Sequence, residues 1–207
     1  FTFNEAVTGF TNADLTIPNG TLTPVSSSDG GITWTATYTP AVDTTDTTNV
    51  ITLNNTGVTD AAGNTGLGTT DSNNFAIDTL RPTVTIGTDD SALKIGDVAH
   101  LTFTLSEAST TFTSTDVAVT GGTLSNFAGS GTSYTADFTP APGSTTSATV
   151  DVAGGQFTDA AGNNNIAATQ LSMTVDTVAP TVIGLNISAT GLTFTASDNA
   201  SLSYDSP

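Results

Sequence analysis

The hexapeptide TDAAGN stands twice in the chain, at 59–64 and at 158–163. Each copy sets an aspartate carboxylate four residues ahead of an asparagine amide, with only small residues between. Two chemistries suit that spacing. A hard divalent cation takes carboxylate, amide and carbonyl oxygens, and calcium wants six to eight of them. Alternatively, the aspartate caps backbone N–H groups of its own turn while Gly and Asn accept left-handed φ. The hexapeptide alone fits either.

Charge sharpens the question. The 207-residue chain carries 19 Asp and Glu against two Lys and Arg, for a formal net charge of −17. The two cations are Arg81 and Lys94. Most carboxylates therefore have no internal cation to pair with and must be solvated, hydrogen-bonded or held by an external one. Nucleic acid is excluded as a partner, because no basic patch exists to displace counterions from phosphate. Cysteine is absent and there is one histidine, which disfavours zinc and leaves the redox compartment open. No apolar run approaches the roughly 20 residues of a membrane span. The chain starts at Phe1 inside what reads as a strand, as a segment of a longer protein would.

The elements that position these oxygens repeat. FTFNEAVTGFTNADLTIPNGTL at 1–22 aligns without a gap on FTLSEASTTFTSTDVAVTGGTL at 103–124, TWTATYTPA answers SYTADFTPA, and FAIDTLRPTV answers MTVDTVAPTV. Asp78 and Asp176 are 98 residues apart, the length of one small sandwich module. The domain reading is therefore 1–77, a repeat lacking its first strand; 78–175, a complete repeat; and 176–207, the opening of a further one. DTLRP at 78–82 and DTVAP at 176–180 are the connections.

Within the complete copy the hydrophobic period is two, which predicts seven strands: 83–86, 99–105, 117–119, 123–127, 134–138, 148–152 and 171–175. Leu101, Phe103 and Leu105 face inward on one, Tyr134, Ala136 and Phe138 on another. Helix content is expected near zero. PNGT at 18–21 and TGGT at 120–123 read as tight hairpin turns. The fold class is all-β, tandem immunoglobulin-like Greek-key β-sandwich modules.

That connectivity brings distant acids together. In a seven-strand sandwich the loops after the second and sixth strands return to the end where the chain came in. For the complete copy this end collects Asp78, Glu107, Asp116, Asp159 and Asn163; the matching positions of the first copy are Glu5, Asp14, Asp60 and Asn64. Carboxylates about 5 Å apart repel by about 1 kcal/mol per pair even in water. A captured Ca2+ offsets that cost.

The combination DTxxPTV, FT(F/L)(N/S)EA, GGTL, YTADFTPA and TDAAGN resembles the bacterial immunoglobulin-like repeats of giant secreted surface adhesins, of RTX-like and biofilm-associated type. The resemblance covers the complete copy and the first one. It implies a non-enzymatic extender of a stalk, secreted or on the bacterial cell surface. Its partners would be neighbouring repeats of the same chain, with calcium near module junctions, and neither nucleic acid nor membrane insertion is implied. Carried over by position, it implicates the residues above, with Asp176 and Asp198 beginning a third site.

Three other readings compete. Glu107 and Asp116 as a glycosidase pair would need a dry pocket to raise one carboxyl, and His100, on an outward strand position, has no repeated partner for a triad. Trp34 would stack on a sugar, yet it aligns with Tyr134 at a core position. The segment 182–196 offers strands that another copy could accept, giving a self-assembling extracellular filament by strand exchange.

Overall fold

The computed structural model describes residues 1–188 and 191–197. Among them the regular structure is strands with three one-turn 3-10 helices, at Asn12–Asp14, Asn55–Gly57 and Ser114–Asp116. The chain divides into two compact units, Phe1–Leu80 and Arg81–Pro207.

The second repeat, within the second unit, is built from two sheets. One runs, in spatial order, Val84–Thr88, Ala99–Ser109 and Gly122–Pro140, all antiparallel. The other runs Ala92–Lys94, Leu171–Asp176, Ala148–Asp151 and Ala118–Thr120. Alternation decides which side faces in: Ala99, Leu101, Phe103 and Leu105 are buried while His100, Thr102 and Thr104 are exposed, as a pleat with one wet face requires. Between the sheets Phe112 sits at the centre of an aromatic group, with ring centroids 4.9 Å from Phe157, 5.0 Å from Tyr134, 5.5 Å from Phe127 and 5.7 Å from Phe103. The Phe157 contact is tilted and the other three are edge-to-face, an arrangement that adds to simple area burial.

Three features differ from the expected strand plan. The runs 123–127 and 134–138 belong to one extended stretch, Gly122–Pro140, that doubles back near Gly129 and Gly131, both at positive φ. Its arms are tied by Asn126 donating to Asp137, by Phe127 stacking on Tyr134, and by the Ala141 amide donating to the Gly121 carbonyl. An additional short strand, Ala92–Lys94, pairs in parallel with Thr174–Asp176. Only Leu93 of its three residues is buried, too little pattern to read as a strand.

The third difference concerns the two Gly-containing turns, which are not hairpins. Ala118–Thr120 pairs with Ala148–Asp151 in one sheet, while Gly122–Pro140 lies in the other. In the first unit Leu15–Thr16 pairs with Thr52–Asn54, and Gly20–Leu22 with Tyr38–Pro40. Each turn is a corner that carries the chain from sheet to sheet. The predicted positive φ is present, at Asn19 (46°) and Gly121 (73°).

The first unit uses shorter pairings. Val7–Thr8 pairs with Thr59–Asp60, Ser26–Ser27 with Trp34–Thr35, and Thr45–Asn49 with Phe75–Asp78. Its core is Val7, Phe10, Leu53 and Val58, with Phe3, Leu15, Val25 and Trp34 packed against it. Phe10 occupies the position of Phe112, and Trp34 meets it edge-on at 5.4 Å. Trp34 is therefore a half-buried core residue, and its Nε1 donates to the Gly31 carbonyl. Beyond the second repeat, Thr181–Ser188 and Gly191–Ser197 pair antiparallel.

Candidate metal centre

The TDAAGN loop joins Ala148–Asp151 to Leu171–Asp176, and its residue types follow from its geometry. Asp159 Oδ1 accepts from the backbone amides of Gly162 (2.8 Å) and Asn163 (2.9 Å), and Oδ2 accepts from Asn163 Nδ2 at 2.9 Å. Gly162 stands at φ +95°, where a side chain is strained. The first copy repeats the pattern: Asp60 Oδ1 accepts from the amides of Ala62 and Asn64, Oδ2 from Asn64 Nδ2, and Gly63 is at +88°. Turn chemistry thus accounts for Asp, Gly and Asn at these spacings. It does not exhaust the carboxylate: Oδ1 takes two bonds, while Oδ2 takes one and keeps a second acceptor direction.

Asp159 is buried, which pushes its carboxyl upward. The bonds from the Asn163 side chain and backbone and from the Gly162 and Ala161 amides outweigh that, holding its pKa below the ordinary 3.8. Asp60 is likewise lowered, first by the Asn64 side chain and then by the Asn64 backbone. Both are anions at neutral pH.

Asp78, Glu107 and Asp159 each offer a carboxylate oxygen, and these three atoms all lie within 4.8 Å of one another. Asp78 closes the strand Phe75–Asp78, where its Oδ1 accepts from Thr45 Oγ1 and the Leu80 amide. Glu107 projects near the end of Ala99–Ser109. At this separation each pair of full charges costs about 1 kcal/mol in water and about 3–4 kcal/mol at an effective dielectric near 20. The donor set is all hard oxygen, with the Asn163 amide bonded to Asp159 alongside, and fits calcium or magnesium rather than a thiophilic metal.

Other candidate residues fall elsewhere. Asp116 stands outside this group: its Oδ2 accepts from the Thr113 amide (2.7 Å) and hydroxyl, closing a capping box on Ser114–Asp116. Asp14 does the same for Thr11. Glu5, Asp60 and Asn64 share the lining of one concavity of about 370 Å³ in the first unit. Asp176 accepts from the Val178 amide, as Asp78 does from Leu80; Asp198 lies outside the described residues. His100 is exposed and pairs through Nδ1 with Asp137 at 2.7 Å.

Residues that sequence reasoning passed over hold the loop in place. Asn165, fully buried, accepts from the Gln156 and Phe157 amides and donates to the Ala153 and Ile166 carbonyls. Arg81 donates Nε to the Asn164 carbonyl and Nη2 to that of Asn165, both at 2.9 Å, and the Ile166 amide donates to Pro82. The lone Arg in the connection was a signal; Asn165, one of three consecutive asparagines, carried none.

Two sheets in this strand order, with a three-residue strand added in parallel beside the last one, define an immunoglobulin-like module. The chain belongs to the Bacterial Ig-like domain family: residues 1–77 and 78–175 each match it, and the second match contains all three clustered carboxylates. Comparison with curated proteins gives no match. Domains of this family are non-enzymatic structural modules, typically extracellular or at the cell surface. Among the described residues no helix is long and apolar enough to cross a membrane.

Proposed function

We propose that the chain is an extender segment of a large extracellular bacterial adhesin or other surface protein, stiffened by calcium. The observation that carries this reading is the approach of Asp78, Glu107 and Asp159 oxygens to within 4.8 Å. Asp78 would supply one carboxylate from the connection between repeats, Glu107 one from a sheet strand, and Asp159 one from the TDAAGN loop, with Asn163 as a neighbouring amide. An ion held by all three removes freedom from the connection at 79–82, and it stabilises the folded state by mass action. Such an array is stiff where calcium is plentiful, as outside a cell, and loose where it is scarce. The neighbouring repeats of the same chain are the partners in this reading.

Isothermal titration of the chelator-treated 207-residue chain with calcium tests it. The expected result is a saturable signal that Glu107→Gln and Asp78→Asn each weaken severely and that magnesium reproduces poorly. A flat titration at millimolar calcium, or one indifferent to both substitutions, removes the calcium reading and leaves a plain row of β-modules.

A further inference from the structure

The corner that carries each repeat from one sheet to the other imposes two demands on consecutive residues. The first must take positive φ, as Asn19 and Gly121 do. The second must lack a side chain: a Cβ on Gly20 would lie 2.5 Å from the Tyr38 ring and 2.6 Å from the Thr39 carbonyl, and one on Gly122 would strike Phe138 and the Thr139 carbonyl. The second repeat answers with Gly-Gly, which is chemically inert. The first answers with Asn19 and Gly20, and this Asn-Gly is the sole one in the chain. No side chain on Gly20 hinders its nitrogen from reaching the Asn19 side-chain carbonyl.

We propose that Asn19 is a modification site at which spontaneous loss of the amide permanently weakens the first unit. The Gly20 backbone nitrogen gives up its proton to water and bonds to Asn19 Cγ; Nδ2 takes a proton back from water, the Cγ–Nδ2 bond breaks and ammonia leaves. Water then opens the five-membered ring at either carbonyl, leaving aspartate or its isoaspartyl isomer. In the closed corner Asn19 Nδ2 is held by Asp46 Oδ2 and Asn49 Oδ1, both at 2.8 Å, so the attack runs during local openings.

The product does not fit the place the amide left. A carboxylate at position 19 faces the Asp46 carboxylate where a hydrogen bond had been, and like charges so close resist ionising together. Asn49, fully buried, loses the donor to its Oδ1 while its own Nδ2 stays committed to the Asp46 and Phe75 carbonyls. A buried acceptor left without its donor is costly. The second unit has no side chain at the corresponding Gly121 and is spared.

The test uses the full chain incubated at mildly alkaline pH, with peptide mass mapping. Conversion is expected at Asn19 ahead of the other asparagines, and faster in mild urea. Separately, Asn19→Asp and Asn19→Gly are melted while following Trp34, the one tryptophan and a first-unit residue. Asn19→Gly copies the second repeat's corner and folds. At pH 7 Asn19→Asp is expected to melt at least about 4 °C below Asn19→Gly, the gap closing on acidification; a first unit that fails to fold only with Asp is the same result in stronger form. An intact Asn19 amide when other asparagines have converted, or equal melting of the two variants at pH 7, overturns the proposal.

Discussion

Replacing Asp159 separates what its carboxylate does for the loop from what it does for an ion. In Asp159→Ala the amides of Gly162 and Asn163 lose a charged acceptor at 2.8 and 2.9 Å, at a site where the aspartate itself is 7 % exposed. Hydrogen bonds to charged groups contribute about 1.5–3 kcal/mol each, and the two share one oxygen. A cost of about 3 kcal/mol follows, which lowers the melting of an about 100-residue module by roughly 12–24 °C. That loss is expected in chelator, with no metal involved. Asp159→Asn keeps a carbonyl oxygen for the same two amides but gives up the charge and the bond that Oδ2 accepts from Asn163 Nδ2, so in chelator it should melt between Asp159→Ala and the parent. Calcium at about a hundred times its dissociation constant adds about 2.7 kcal/mol to a binding-competent chain, roughly 11–22 °C. The parent should show that rise and Asp159→Asn should lack most of it. Scanning calorimetry of the three proteins in both buffers reads all of this. An undiminished calcium rise in Asp159→Asn refutes the ion argument, and an Asp159→Ala melt within about 2 °C of the parent in chelator refutes the loop argument.

Three further outcomes are expected. Asn165→Ala strands two backbone amides and two carbonyls around one buried cavity; it should cost about 3 kcal/mol or more by denaturant unfolding, with a larger share falling on the second unit. Gly122→Ala drives a methyl into Phe138 and the Thr139 carbonyl and should cost about 1–3 kcal/mol, whereas Gly143→Ala, with open space around its Cβ position, loses only the smaller penalty of its positive φ. The His100 ring is held above its ordinary 6.5 by its hydrogen bond with Asp137 and by the charges of Asp89 and Asp137. The pair's contribution to stability is therefore complete below pH 6.5 and disappears as pH rises through the raised value. Asp137, held below 3.8 by Asn126 and then by His100, keeps its charge through that window. A proton NMR titration of His100 should give a midpoint above 6.5, and Asp137→Asn should bring it back down.

The legible parts of the fold were those where burial repeats with a short period. The run from Ala99 to Leu105 alternates cleanly because one face packs on the other sheet and the other meets water, and the same signal marked Tyr134, Ala136 and Phe138. Ala92–Lys94 escaped because a strand added for its backbone pairing leaves little trace in side chains. The corners were misread for a related reason: positive φ at Asn19 and Gly121 is common to hairpins and sheet crossings, and what tells them apart is which distant strand each arm pairs with. At the candidate metal centre, counting strands between loops was enough to bring Asp78, Glu107 and Asp159 to one end. It was too coarse to place Asp116, whose local pattern, Thr113 three residues before an acid, is that of a capping box. Asn165 was invisible as a loop support because its bonds go to backbone carbonyls and amides, which any sequence supplies, and Arg81 stood out only by being the one arginine, with nothing to name the carbonyls it meets.

The three-residue strand Ala92–Lys94 matters most when the molecule is pulled. It runs alongside Thr174–Asp176 in the same direction, one near the start of the repeat and the other at its end. Tension drawing the two ends apart slides these strands past each other lengthwise, so the rungs of that ladder share the load and must yield together. An antiparallel pair peeled from one end would instead give way rung by rung. A strand almost without a sequence signature thereby ties the early part of the repeat to its end.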